Sequence, residues 1–235
     1  MMDFVEGTLE THKANTKANK PEIQHLQPSN LSEFVEMVIQ LLKGLDWLHS
    51  GAAGEGKIYH RDIKPSNVGF VRIGVKVIWK LLDFGLAKQI PLDKNTVISP
   101  YARGTGVYMS PQQALGQGRP NDDIYSLGIT FYQILYDWRF PSDASLSQLV
   151  FSLLPEVFEY TRYLRKEIRE EPSDFRNENR SLGSPFSNEV ISDEGIIELD
   201  EILFRMFKFN HQHRYKSAKE VIKSFENWRN KHLSL

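Results

Sequence analysis

His60-Arg61-Asp62-Ile63-Lys64-Pro65-Ser66-Asn67, followed by Asp83-Phe84-Gly85, decides the reading of this chain. Phosphoryl transfer from a nucleoside triphosphate asks a protein for position and charge neutralisation, and for little covalent chemistry. An Asp has to receive or orient the attacking hydroxyl. A cation has to sit on the terminal phosphate, and hard oxygen ligands have to hold Mg2+. Asp62, Lys64, Asn67 and Asp83 are that set of groups. A lone Asp-Phe-Gly says little, because Asp-x-Gly turns are common. The longer stretch says much more, since several polar types must fall at fixed offsets.

Outward from the motifs, Val68 to Val71 and Val75 to Leu82 are short and β-branched, with Arg72-Ile73-Gly74 between them. They predict a β-hairpin with one motif on the loop entering it and the other on the loop leaving it. Upstream, Leu31, Phe34, Val35, Val38, Leu41, Leu42, Leu45 and Leu48 recur at helical spacing. Asn30 is the predicted cap of this helix, Glu33 its capping-box partner and Gly51 its stop. Ala52 to Lys57 reads as a surface loop. Residues 1–9 read as a short extended apolar piece ending at Gly7, and residues 10–29 as a polar loop or poorly formed helix. Downstream, residues 86–120 carry few helix signals and form a long connection, of the kind that is usually functional. Ile124, Leu127, Phe131, Ile134 and Leu135 predict a second buried helix. Residues 166–188 are charged and read as an exposed loop. Ile196, Ile197, Leu199, Ile202, Leu203, Met206 and Phe207 predict another helix. A last one is capped by Ser217 with Glu220 in the box position and buries Val221, Ile222, Phe225 and Trp228. The fold class is α+β, mainly helical after one small hairpin.

With these residues in this order, the chain resembles the C-terminal lobe of a eukaryotic-type, or Hanks-type, Ser/Thr protein kinase. The resemblance implies that Asp62 is the catalytic base, that Lys64 contacts phosphate, and that Asn67 and Asp83 are ligands to Mg2+. Gly104-Thr105 through Tyr108-Met109-Ser110-Pro111 resembles the end of the segment that receives the substrate, with Thr105 bonded toward Asp62 and Lys64. Asp123 resembles the aspartate that ties down the catalytic loop's backbone. Arg214 resembles the arginine that partners the glutamate of an Ala-Pro-Glu motif. Met2-Asp3-Phe4-Val5-Glu6-Gly7 looks like the hinge between lobes, with Met2 as gatekeeper and the backbones of Asp3 and Val5 facing adenine. The likeness thus treats residues 1–235 as one incomplete kinase domain, 1–9 hinge-like and 10–235 the lower lobe. ATP and Mg2+ are the implied cofactors and a protein the implied substrate. The wording of residues 108–116 and 122–128 is similar to bacterial members.

The chain departs from the pattern in places. Ahead of Met1 it offers no glycine-rich loop, strand lysine or helix-C glutamate, so the isolated chain is expected to bind ATP poorly and to turn over only once an upper lobe is restored. Gln112 stands where the family has glutamate, so its bond with Arg214 lacks charge assistance, and Gln112→Glu is expected to raise the melting temperature. Gly69 takes the place of the bulky apolar residue that floors the adenine site, which shifts the floor to a neighbour such as Val68. Arg61 answers a phosphate in the family, which makes Thr96, Ser99 and Tyr101 candidate phosphosites.

The bulk numbers fit. A hydrophobic share of 40% with 25% charged residues is ordinary for a globular protein, and a net charge of -1 argues against a broad nucleic-acid-binding surface. The absence of cysteine excludes disulfides and thiol nucleophiles. No apolar run approaches the roughly 18 residues of a membrane span. The acidic N-terminus lacks the basic start of a secretory signal, so the expected location is the cytoplasm. His60 and Phe84 are expected to be packed, structural side chains. His211 and His213 resemble a metal pair but lack a third ligand nearby in sequence. The Lys and Glu run at 165–171 reads as a solvated face. Two further functions compete with the kinase: a non-catalytic pseudokinase or interaction module, and a small-molecule phosphotransferase. Lys64 and the Tyr108-Met109-Ser110-Pro111 segment argue against the last.

Overall fold

The computed structural model describes residues 5–9, 27–52, 54, 56–91, 97–98, 108–114, 116–136, 182, 186, 189–208 and 210–233. Helix α1 (Leu31–Ser50) starts where predicted, because the Asn30 side chain accepts from the Glu33 N–H at 2.8 Å. The Glu33 carboxylate reaches one residue past the cap, to the Ser29 N–H at 2.9 Å. Gly51 ends the helix at φ 79, a conformation that disfavours any Cβ. The apolar face of α1 is wholly buried from Leu31 and Phe34 to Leu42 and Leu45.

The predicted hairpin is present as β3 (Val68–Ile73) and β4 (Lys76–Leu81), in antiparallel register from Val68↔Leu81 to Ile73↔Lys76. Gly74, at φ 61, makes the turn. Phe70 faces Trp79 across the strands with ring centroids 5.6 Å apart, the kind of pair that fixes register. The outer edge of β4 is closed by the Gln40 amide, which donates to the Val77 carbonyl at 3.2 Å and accepts from the Trp79 N–H at 2.9 Å.

The first described residues do more than lead in. Strand β1 (Gly7–Thr8) pairs with β3, Gly7↔Phe70, so the sheet order is β1-β3-β4 and Gly7 lies inside the pairing. Two more ladders correct the expectation of a nearly all-helical chain after the hairpin. Strand β2 (Gly56–Tyr59) pairs with β5 (Lys88–Pro91), and β6 (Val97–Ile98) with β7 (Gln117–Gly118). Gly56 and Lys57 therefore belong to a strand and not to a surface loop. Between β6 and β7 lies the short helix α2 (Pro111–Ala114).

Helix α3 (Pro120–Tyr136) is buried on nearly every side from Asp122 to Tyr132, which explains why its sequence is apolar around most of its circumference. Helix α4 (Asp193–Met206) is capped by Ser192 and helix α5 (Ala218–His232) by Ser217. As at α1, the box glutamate of α5 reaches beyond the cap, Glu220 accepting from the Lys216 N–H at 3.0 Å. Helix α5 packs on α1 and α4, and its buried Trp228 donates to the Gly195 carbonyl at 2.7 Å. Phe34 joins the layers, edge-on to Phe131 at 6.2 Å and to Phe186 at 5.7 Å. Leu182 and Phe186 are buried, which corrects the expectation of an exposed loop over 166–188 at those two positions.

Candidate active site

The hairpin places the two motifs side by side. Asn67 ends a 3-10 turn, Pro65–Asn67, that leads straight into β3, and Asp83 follows β4 and Leu82. The Leu82 N–H donates to the Asn67 carbonyl at 2.8 Å, extending the ladder to the base of both motifs. Asp62 is nearly buried, and its carboxylate is bracketed. Lys64 Nζ lies 3.1 Å from Asp62 Oδ2, and Asn67 Nδ2 donates to the same oxygen at 3.1 Å and to the Asp62 carbonyl at 2.7 Å. Three of the four expected groups thus form one bonded cluster. Asp83 stands beside it by backbone pairing; it is exposed, and its Oδ1 accepts from the Gly85 N–H at 3.0 Å.

The backbone around Asp62 is held in an unfavourable shape. Arg61 has φ 70 and Asp83 φ 58, a region that costs a non-glycine residue about 1–2 kcal/mol. Asp123, at the start of α3, restrains it by accepting from the His60 N–H at 2.9 Å and the Arg61 N–H at 2.8 Å. This is the tie expected of it. His49, in the last turn of α1, donates to the same carboxylate at 2.8 Å. Burial lifts the Asp123 pKa. The bond and charge of His49, the nearby His60 and the Arg61 N–H pull it down further, so the carboxyl is held below its ordinary range. His60 is buried as expected: Nε2 donates to the Leu82 carbonyl at 2.8 Å while Nδ1 faces the Asp62 N–H at 3.4 Å. Phe84 corrects the reading. Its ring leans on His60 at 4.9 Å, yet it is 45% exposed, because among the described residues nothing covers its outer face.

The donor set fits Mg2+. Asn67 commits its Nδ2 to Asp62 in two bonds, which leaves its carbonyl oxygen as the group to offer a cation, alongside the exposed Asp83 carboxylate. Among the described residues no three His, Cys, Asp or Glu side chains gather as a metal cage. Mg2+ needs no such cage, since it takes one or two protein oxygens and completes its shell with phosphate and water.

Asp3, Met2, Thr96, Ser99, Tyr101 and Thr105 lie outside the described residues. Val5 is described, and its side chain sits against Gly69. A Cβ on Gly69 would stand 2.5 Å from Leu82 Cδ1 and 3.2 Å from Val5 Cγ1. Leu82 therefore fills the space above Gly69. Val68, expected as the substitute, points into the core and is fully buried.

Sequence reading placed Arg214 against Gln112, and Nη2 does donate to Gln112 Oε1, at 2.7 Å. It missed Asp122. The Arg214 Nη1 lies 2.9 Å from Asp122 Oδ1, which also accepts from the Ser110 hydroxyl, while Asp122 Oδ2 accepts from the Arg119 N–H at 2.6 Å. His49 and Gln113, whose amide reaches the loop that carries Asp62, were missed as well. The available signal was the doublet Asp122-Asp123, which reads as a dipole-favoured helix start but sends its carboxylates to different networks.

The protein kinase domain family matches residues 1–225. The chain belongs to the protein kinase family. It is similar to serine/threonine-protein kinase A of Synechocystis sp., 36% identical over 124 residues that cover 50% of this chain and 23% of that protein. It is also similar to eukaryotic translation initiation factor 2-alpha kinase 1 of Plasmodium falciparum, 37% identical over 126 residues, 52% of this chain and 7% of that protein. Serine/threonine-protein kinases drp72 of Corynebacterium efficiens is 34% identical over 144 residues, 59% and 25% respectively. Each match thus spans a quarter of the relative's length or less. These likenesses support a Hanks-type Ser/Thr kinase, with bacterial relatives among its matches. No helix of the kinase domain is long and apolar enough to cross a membrane, among the described residues.

Proposed function

We propose that this chain catalyses transfer of the ATP γ-phosphoryl group to Ser or Thr hydroxyls of a protein substrate, as the lower lobe of a kinase domain with residues 1–9 as its hinge. ATP supplies the phosphoryl group, and Mg2+ neutralises the developing charge. Asp62 orients the substrate hydroxyl and takes its proton as the oxygen–phosphorus bond forms and the bond to ADP breaks. Lys64 places a cation beside that event, with Thr105 bonded toward both. Asn67 and Asp83 offer oxygens to the metal, and the backbones of Asp3 and Val5 face adenine. ATP and Mg2+ suit a cytoplasmic setting, and nothing in the reading calls for nucleic acid.

The observation that carries this reading is the Asp62 carboxylate with Lys64 Nζ and Asn67 Nδ2 each 3.1 Å from one of its oxygens. A lysine and an amide converging on one nearly buried acid is the arrangement that positioning a hydroxyl beside a phosphate asks for. The second reading, a non-catalytic interaction module, draws on the half-exposed Phe84, whose open face suits a partner.

The test is transfer of labelled phosphate to a protein acceptor by this chain joined to a kinase upper lobe. Label on Ser and Thr is expected, with Asp62→Asn lowering the rate by about 100-fold or more. Turnover that survived Asp62→Asn would contradict the mechanism. An absence of turnover with ATP binding intact would favour the interaction module.

A further inference from the structure

We infer that Gln113 is a positioning residue whose side-chain amide, by donating to the Arg61 carbonyl, couples the end of the segment after Asp83 to the loop that carries Asp62. The inference rests on the kinase reading for its meaning and on geometry for its content. Gln113 is buried on α2, and its Nε2 lies 2.6 Å from the Arg61 oxygen. That oxygen belongs to the peptide bond joining Arg61 to Asp62. Arg61 is the residue with φ 70. Its two backbone polar groups are therefore held by side chains of two different elements: the N–H by Asp123 on α3 at 2.8 Å, and the carbonyl by Gln113 on α2.

The clamp is itself seated. The Gln113 N–H donates to the Ser110 hydroxyl at 3.1 Å, Ser110 donates to Asp122, and Asp122 pairs with Arg214. A continuous bonded path thus runs from the buried Arg214 to the peptide beside the catalytic acid. Lys64 acts on the Asp62 side chain and Asn67 on that side chain and the Asp62 carbonyl, whereas Gln113 holds the peptide that precedes Asp62. An apolar residue of the same size would fill the volume at position 113 but would leave a carbonyl without its donor. Movement of α2 from its seat therefore releases one of the restraints that keep Arg61 in its unfavourable shape. Asp62 can then turn away from Lys64 and Asn67. The state of the substrate-receiving segment is in this way felt at the base.

The 235-residue chain tests this without turnover. Gln113→Met keeps the volume and removes the donor, and Gln113→Glu keeps the shape and replaces the donor with an acceptor. Residue-resolved hydrogen exchange is expected to quicken about tenfold at the Arg61 and Asp62 amides in both variants, the size of one net hydrogen bond, with interior amides of α1 and α5 unchanged. Unchanged rates at Arg61 and Asp62, or equal quickening throughout the chain, would overturn the positioning role. Should both variants fail to fold, the wild-type chain decides: a scalar coupling across the hydrogen bond between Gln113 Nε2 and the Arg61 carbonyl carbon supports the clamp, and its absence overturns it. Absence of turnover by the chain joined to an upper lobe, with ATP bound and the clamp intact, would sink the proposed function and leave this inference standing.

Discussion

Arg214 takes its compensating charge from Asp122, 2.9 Å away, and donates a hydrogen bond to the uncharged amide oxygen of Gln112. The negative charge that the family places on the segment's end is here on the first turn of α3. Burial lowers the Arg214 pKa and raises that of Asp122, while each partner's charge works against the effect of burial on the other. The pair is worth keeping only as a pair, since removing one member leaves the other charged and buried.

Asp122→Asn is expected to destabilise the chain by about 3 kcal/mol, the usual scale for breaking a buried ion pair. Gln112→Glu alone is expected to gain less than about 1 kcal/mol, because the guanidinium is already neutralised and the new carboxylate adds repulsion. The double variant moves the carboxylate to the other side of Arg214 and is expected to recover more than half of the loss. Urea unfolding of the three variants gives the coupling. Strictly additive effects would show that the two positions do not share the arginine.

The Asp123 clamp is expected to carry a pH signature. Its folded-state pKa is depressed below the ordinary value of 3.8, so its contribution is fully present above that value and is lost as pH falls through the folded pKa. Asp123→Asn should therefore cost progressively less below about pH 4. A stability difference between wild type and variant that stayed constant to pH 2.5 would show that the interaction is not one of charge.

The groups of the candidate site were legible because they are near each other in sequence. Asp62, Lys64 and Asn67 lie within one short loop, and the hairpin that brings Asp83 back is marked by β-branched residues and a turn glycine. The supporting groups were not legible, since their partners are far away: Gln113 is 52 residues from Arg61 and Asp122 is 92 from Arg214. Nothing local in either side chain reports such a partner. Strands β1, β6 and β7 are too short to show a period of two. The first residue of β2 is Gly56, which beside Gly51 and Gly54 reads as loop. Phe186 was hidden by its polar neighbours, an apolar side chain whose burial depends on a surface supplied by α1.

Gly69 makes a sharp local prediction. A methyl group there would approach Leu82 Cδ1 to 2.5 Å, which the half-exposed Leu82 can relieve only by changing rotamer. Gly69→Ala is expected to cost about 1–2 kcal/mol, as overpacking does. In a Leu82→Ala background the same substitution is expected to be neutral or favourable. Thermal unfolding of the single and double variants checks this. Equal cost in both backgrounds would mean that Leu82 does not occupy the space above Gly69.

Phe186 and Val190 test what the segment before α4 contributes. Phe186 is 0% exposed and meets Phe34 edge-on at 5.7 Å, whereas Val190 is 102% exposed. Between them Glu189 accepts from the Leu31 N–H at 3.3 Å, in the first turn of α1, where the helix dipole favours an anion. A ring lost from a packed layer leaves a cavity, so Phe186→Ala is expected to cost about 3–5 kcal/mol. Val190→Ser is expected to change stability by less than about 0.5 kcal/mol, since its side chain is fully exposed. Glu189→Gln should lie between, near about 0.5 kcal/mol, and should lose its effect in high salt. Urea unfolding at low and high salt separates the contributions. Equally small effects at 186 and 190 would return the segment to the solvated loop that its composition suggests and would remove the ring from the core around Phe34.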